Sequence, residues 1–133
     1  MSVVDAVVEP KLLPCSFQFH SFHDKLNEVS IDCQIVKMEK SLYLWIGDHN
    51  DQSMKDLALA ISLVNNDKKS TVSTKILGPI ADELSSNIAS RLSKKTGKPV
   101  YVSFNLNVDN LTLPLVERRI HQELKDNAQL LDI

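Results

Sequence analysis

The chain has 133 residues, of which 43% are hydrophobic and 24% are charged, and its formal net charge is −2 at pH 7. This length and composition predict one soluble domain with a substantial core. The slight negative charge disfavours nucleic acid as the main ligand, because such binders usually carry a basic domain or stripe. The three glycines are too far apart to form a phosphate-binding loop.

The N-terminal segment 1–14 is predicted to be a flexible tail, because Pro10 and Pro14 interrupt any regular element. It does not resemble a signal peptide, and no apolar run is long enough to span a bilayer. Cys15 and Cys33 are therefore expected to be free thiols in a reducing compartment. We expect residues 15–133 to form a single domain, located in the cytoplasm and possibly the nucleus, without membrane contact.

The first half of the chain predicts strands. Residues 16–22 alternate large apolar with polar side chains, and a polar connection over 23–30 leads to a second strand at 31–39. Residues 41–47 follow after a tight turn at Glu39–Lys40, so the second and third strands should form an antiparallel hairpin.

The region from residue 54 to 77 predicts two more strands. Residues 57–63 alternate strictly, and this period of two favours a strand over the helix that the alanines would prefer. A polar turn at 65–70 separates it from a strand at 71–77. The first five strands are therefore expected to form a meander.

The periodicity changes to that of a helix at residue 80. Ile80, Leu84, Ile88 and Leu92 form one stripe, with Pro79 at the expected start and Gly97 just past the end. A strand at 100–106 and a helix at 112–126 follow. The predicted fold is α+β, with a six-stranded, mainly antiparallel sheet and two helices on one of its faces.

The sequence offers little evidence for catalysis or metal binding. His20 and His23 would point to opposite faces of a strand and cannot bind one metal together. A zinc site remains the lesser alternative, because Cys15 lies near these histidines in the sequence and Cys33 could approach them in space. The run Asp48–Asp51 resembles a solvated turn more than an acid–base pair. We expect no enzymatic activity, no metal, no cofactor and no small-molecule substrate.

The strand at 41–47 is apolar on both faces, so both faces should be covered. Helices can cover one face, and a partner protein would cover the other. Trp45 could instead belong to the core beneath the helices. The predicted partner interface comprises Val36, Met38, Tyr43, Trp45, Ala58, Ala60 and Tyr101.

Basic side chains gather near the end of the first predicted helix and along one side of the second. They are either solvated helix surfaces or a docking patch for an acidic partner. The candidates are Lys94, Lys95, Lys98, Arg118, His121 and Lys125.

Several blocks, in this order, resemble the proteasome assembly chaperone 4 family: FHSFHDKL (19–26), SLYLWIG (41–47), VSTKILG (72–78), SRLSKKTGKPVYVSFNL (90–106) and LVERRI (115–120). The resemblance implies a non-catalytic factor with a six-stranded antiparallel sheet and two helices. It implies pairing with proteasome assembly chaperone 3, sheet against sheet, in a heterodimer. It also implies that the heterodimer helps to order the α-type subunits of the 20S proteasome.

The alternative is an adaptor or scaffold of profilin-like or roadblock-like architecture in trafficking or signalling. Such folds also set helices against an antiparallel sheet. The expected meander of five strands before the first long helix favours the chaperone fold over them.

Overall fold

The computed structural model describes residues 9–133, except for the side chain of Asn65. The strands are β1 (Gln18–Leu26), β2 (Val29–Lys37), β3 (Leu42–Asp48), β4 (Leu57–Asn65), β5 (Lys68–Leu77) and β6 (Val100–Phe104). The helices are α1 (Leu84–Thr96), α2 (Leu113–Asp126) and α3 (Ala128–Leu131). None of these helices is long and apolar enough to cross a membrane. The predicted tail lies partly outside the described residues, and its described part, 9–14, is exposed and without helix or strand.

The six strands form one sheet in the order β1-β2-β3-β6-β4-β5. The pair β3–β6 is parallel and every other pair is antiparallel. The prediction of a mainly antiparallel α+β fold is confirmed. The prediction of a five-strand meander is wrong, because β6 enters between β3 and β4 and hydrogen-bonds to both of them.

Two hairpins are closed by two-residue turns with positive φ at both residues. These are Asn27–Glu28 (47° and 70°) and Asn66–Asp67 (51° and 66°), as the twist of antiparallel strands favours. The first turn corrects the predicted polar connection at 23–30. β1 continues to Leu26 because its polar residues find partners in the fold, such as Asp32 for His23.

The core lies between one face of the sheet and the helices. It contains Ile35, Leu44 and Val102 from the strands and Leu92 and Ile120 from the helices. Side chains alternate between faces along a strand, and register partners share a face, so the remaining strand positions can be assigned.

Ala58 and Ala60 lie on the helix-covered face, which corrects their predicted place beside Tyr43. Their register partners are Val102 and Val100, and all four are fully buried. The physical reason is size, because small side chains on β4 let α1 approach the strand closely.

Helix α1 begins later than the sequence indicated. Ile80 is 85% exposed and outside the helix, and the Asp82 carboxylate accepts a hydrogen bond from the backbone N–H of Leu84 (3.2 Å). The end agrees with the prediction, since Gly97 is left-handed (φ 73°) and donates to the carbonyl of Ser93 (2.8 Å). α2 agrees with the predicted 112–126 to within a residue, whereas α3 was not predicted.

A charged network ties edge strand β1 to α2. Arg119 donates to Asp24 (2.8 Å) and to Glu123 (2.5 Å), and its guanidinium stacks over the ring of Phe22. His20 also contacts Glu123, at 2.6 Å. Burial opposes the ionisation of Glu123, but hydrogen bonds from His20 and Arg119 hold its pKa below the usual value.

A second charged pair joins β5 to the start of β4. Lys75 and Asp56 form an ion pair, and their side chains are only 7% and 8% exposed. Lys75 also donates to the Ser85 hydroxyl of α1 (2.8 Å), and Asp56 accepts the backbone N–H of Phe104 (3.3 Å). The buried charges are therefore paired and hydrogen-bonded, as burial requires.

Candidate partner-binding surface

The sheet face opposite the core carries a continuous apolar row. Phe19, Val36, Tyr43, Tyr101 and Leu59 are successive register partners across five strands. Phe19 is 66% exposed, and the other four are partly exposed. We call these five residues the apolar row. An apolar surface of this extent usually marks an association site.

The apolar surface continues toward the second edge of the sheet. Ile61 and Val72 pair across β4 and β5, and they are 42% and 56% exposed. Three members of the row, Val36, Tyr43 and Tyr101, line a shallow depression of about 380 Å³ together with Met38 and Ser41. The surface thus combines a broad apolar area with a recess that a partner side chain can fill.

Trp45 lies on this same face, two residues after Tyr43 on β3, yet it is only 7% exposed. The loop between β3 and β4 shields it, and its indole N–H donates to the carbonyl of Ser53 (3.2 Å). It is therefore neither beneath the helices nor freely accessible. A partner on this face would meet Tyr43 and Tyr101 before it met the indole.

The structure brings five of the seven predicted interface residues onto this face: Val36, Met38, Tyr43, Trp45 and Tyr101. Sequence reasoning missed Phe19, Leu59, Ile61 and Val72. The large residues of β4 were the available signal, because they alternate with the alanines that pack beneath α1.

The predicted basic patch is only partly assembled. Lys95 and Lys125 border a groove of about 420 Å³, whose floor includes Leu124, Ala128 and Ile133. His121 is close by, and its pKa is lowered by burial and by the neighbouring charge of Lys95.

The remaining basic residues do not line this groove. Lys98 extends toward Asp132 (Nζ–Oδ2 3.9 Å), while Lys94 and Arg118 are exposed. The structure therefore concentrates positive charge at Lys95 and Lys125, where α1 and α2 come together.

The other sequence candidates are separated by the fold. His20 and His23 point to opposite faces, since their register partners are Ile35 and Asp32. Cys15 is exposed, whereas Cys33 belongs to the core, where burial raises the pKa of its thiol. Within residues 9–133 neither cysteine joins a cluster of metal-ligating side chains.

The run Asp48–Asp51 forms a turn. The backbone N–H groups of Asn50 and Asp51 donate to the Asp48 carboxylate (2.9 Å) and carbonyl (3.1 Å). This agrees with the predicted solvated turn.

The fold and this surface define a small α+β domain with helices on one sheet face and an apolar, partly exposed second face. A chain of the crystal structure of a novel chaperone complex for yeast 20S proteasome assembly has a similar fold. The TM-score is 0.56 at 18% identity, and the match covers 87% of this chain and 95% of that chain.

Sequence comparison identifies the family. The family model for proteasome assembly chaperone 4 matches residues 30–106. The human proteasome assembly chaperone 4 is 36% identical over 107 residues, which are 80% of this chain and 84% of the relative. The mouse protein is 34% identical over the same shares of both chains. The chain belongs to the proteasome assembly chaperone 4 family, and the resemblance inferred from the sequence is confirmed.

Proposed function

We propose that this chain is a non-catalytic subunit of a chaperone pair that promotes assembly of the 20S proteasome. The observation that carries the proposal is the partly exposed apolar row in a member of this family. One face of a small sheet can supply the roughly 800 Å² per partner that a stable interface buries.

The partner on the apolar row is proposed to be proteasome assembly chaperone 3, with the two sheets facing one another. Packed sheets lie about 10 Å apart and interdigitate their inner side chains. The aromatic groups of Phe19, Tyr43 and Tyr101 suit such an interface, because aromatic residues are enriched at protein–protein interfaces.

The pair is proposed to bind proteasome α-type subunits through a separate surface. The groove bordered by Lys95 and Lys125 is the best candidate on this chain, because its apolar floor and basic rim suit an acidic segment. The chain would act in the cytoplasm, with the nucleus as a second location. It would need no cofactor and no small-molecule substrate.

Family membership favours this function over the adaptor alternative. The strand order adds nothing to that choice, because β6 interrupts the expected five-strand meander.

Charge substitutions on the apolar row test the pairing. Phe19→Asp with Tyr101→Asp should weaken the purified complex with proteasome assembly chaperone 3 by at least about thirtyfold, since hot-spot losses reach 2 kcal/mol or more. Affinity can be measured by calorimetry after circular dichroism has verified folding. The matched control is Ile80→Asp, which changes an 85% exposed apolar residue outside the sheet.

A second variant separates the two proposed contacts. Lys95→Glu with Lys125→Glu should leave pairing intact and reduce capture of α-type subunits by the preformed pair. Unchanged pairing in the folded apolar-row variant would overturn the proposed sheet-to-sheet contact. Unchanged capture in the groove variant would overturn only the second contact.

A further inference from the structure

A cluster of two histidines and one aspartate lies on the sheet face opposite the helices. His23 Nδ1 is 2.6 Å from one carboxylate oxygen of Asp32, and His49 Nδ1 is 2.9 Å from the other. The imidazole rings meet edge to face at 5.0 Å between centroids. One potential ligand atom from each of the three residues lies within 4.8 Å of the other two.

The fold assembles this cluster from three separate segments. His23 on β1 is the register partner of Asp32 on β2. Asp32 is in turn the partner of Gly47 on β3, and the turn after β3 presents His49 to the free side of the carboxylate. The sequence did not predict the cluster because 17 positions separate Asp32 from His49.

The three side chains have the chemistry of a transition-metal site. Imidazole nitrogen and carboxylate oxygen suit zinc and related divalent ions, whereas magnesium and calcium prefer oxygen alone. An ionised carboxylate only accepts hydrogen bonds, so both imidazoles donate to Asp32 when no metal is bound.

We propose that His23, Asp32 and His49 bind one divalent transition-metal ion of the zinc type. Zinc bonds of about 2.0–2.1 Å in a tetrahedron place ligand atoms about 3.3 Å apart. One ligand atom from each of the three residues lies within 4.8 Å of the other two, so no separation exceeds this spacing by more than about 1.5 Å.

The remaining coordination position is open to solvent. The side chains of His23 and His49 are 53% and 59% exposed, so the ion is reached without opening the fold. Three protein ligands with the fourth position open to water is a known coordination arrangement for zinc in proteins. This inference does not depend on the proposed function, because its geometry involves none of the residues of the apolar row.

Zinc titration of the purified full chain tests the site. Calorimetry with ZnCl2 should show one equivalent bound, and Co²⁺ should give the visible absorption of a tetrahedral complex. The experiment uses a Cys15→Ser background, because that exposed thiol is a competing ligand. Saturating zinc should also raise the midpoint of thermal unfolding.

Three variants assign the ligands. His23→Ala, His49→Ala and Asp32→Asn should each weaken zinc binding at least about tenfold, since even loss of an outer-shell partner has that effect. His121→Ala removes a histidine outside the cluster and should leave affinity unchanged. Retained affinity in folded His49→Ala and Asp32→Asn proteins, or no zinc binding in the Cys15→Ser background, would overturn the proposal.

Discussion

At the residue scale, Gly47 and Trp45 depend on one another. A Cβ atom at position 47 would overlap the Cη2 and Cζ2 atoms of the Trp45 ring, so the indole occupies the space that a side chain would need. The indole in turn anchors the loop through Ser53. One glycine therefore sets the shape of this corner of the sheet face.

Replacing that glycine should displace the indole. We expect Gly47→Ala to cost about 1–3 kcal/mol of unfolding free energy, as overpacking usually does. Trp45 is the only tryptophan, so a shift of its fluorescence toward the emission of a solvated indole reports the displacement directly.

The comparison for this experiment is Gly97→Ala. A Cβ there would meet no atom within 4 Å, although its φ of 73° still strains an alanine. That variant should lose stability without any change in emission. An unchanged spectrum in Gly47→Ala would contradict the packing argument.

At the element scale, the contact between β1 and α2 is sensitive to acid. The pKa of Glu123 is lower in the folded chain than its usual value, so the carboxylate stabilises the fold above the unfolded-state pKa of about 4.3. This contribution is lost as the pH falls through the lowered value. The hydrogen bond from Arg119 lowers the pKa of Asp24 in the same direction.

Glu123→Gln should remove part of this pH dependence. At neutral pH we expect the variant to be less stable by about 1.5–3 kcal/mol, the usual contribution of a hydrogen bond to a charged group. The deficit should shrink as the pH falls from the unfolded-state pKa of about 4.3 through the lowered pKa of folded Glu123, because the wild-type carboxylate then also takes up a proton.

Urea unfolding at a series of pH values measures this difference. Glu83→Gln, at an exposed position before α1, is the control for loss of one negative charge. If the difference in unfolding free energy between wild type and Glu123→Gln stays constant from neutral to acidic pH, the role assigned to Glu123 is contradicted.

Element types were predictable, but several of their ends were not. The stripe of Val116, Ile120 and Leu124 defined α2 because each residue packs into the core. The extent of β1 was hidden, since the partners of its polar residues lie far away in sequence, such as Arg119 for Asp24. Ile80 extended the apparent stripe of α1 although no core surface covers it.

At the scale of the whole molecule, the strand order could not be predicted from local sequence patterns. Only long-range pairing reveals that β6 lies between β3 and β4. The prediction of the partner interface was limited in the same way. The sheet face on which Ala58 and Ala60 lie depends on their register with Val102 and Val100. An apolar second face could nevertheless be predicted from the composition of β3 alone.

A chain that ends at Gly97 should fail to fold although it contains five of the six strands. Without β6, the hairpin β4–β5 has no backbone connection to β1–β3 within the sheet. We expect no cooperative thermal transition by circular dichroism. Adding residues 98–133 as a separate peptide should restore a cooperative transition. A cooperative transition in the shortened chain alone would contradict the requirement for β6.

The central position of β6 has a consequence for synthesis on the ribosome. Five strands are complete before residues 100–104 are translated, and until then β3 and β4 each present an unpaired edge. Such edges can pair with other nascent chains, and slow non-local pairing prolongs their exposure. Translation that stalls or terminates after β5 but before residue 100 should therefore yield products prone to aggregation or degradation.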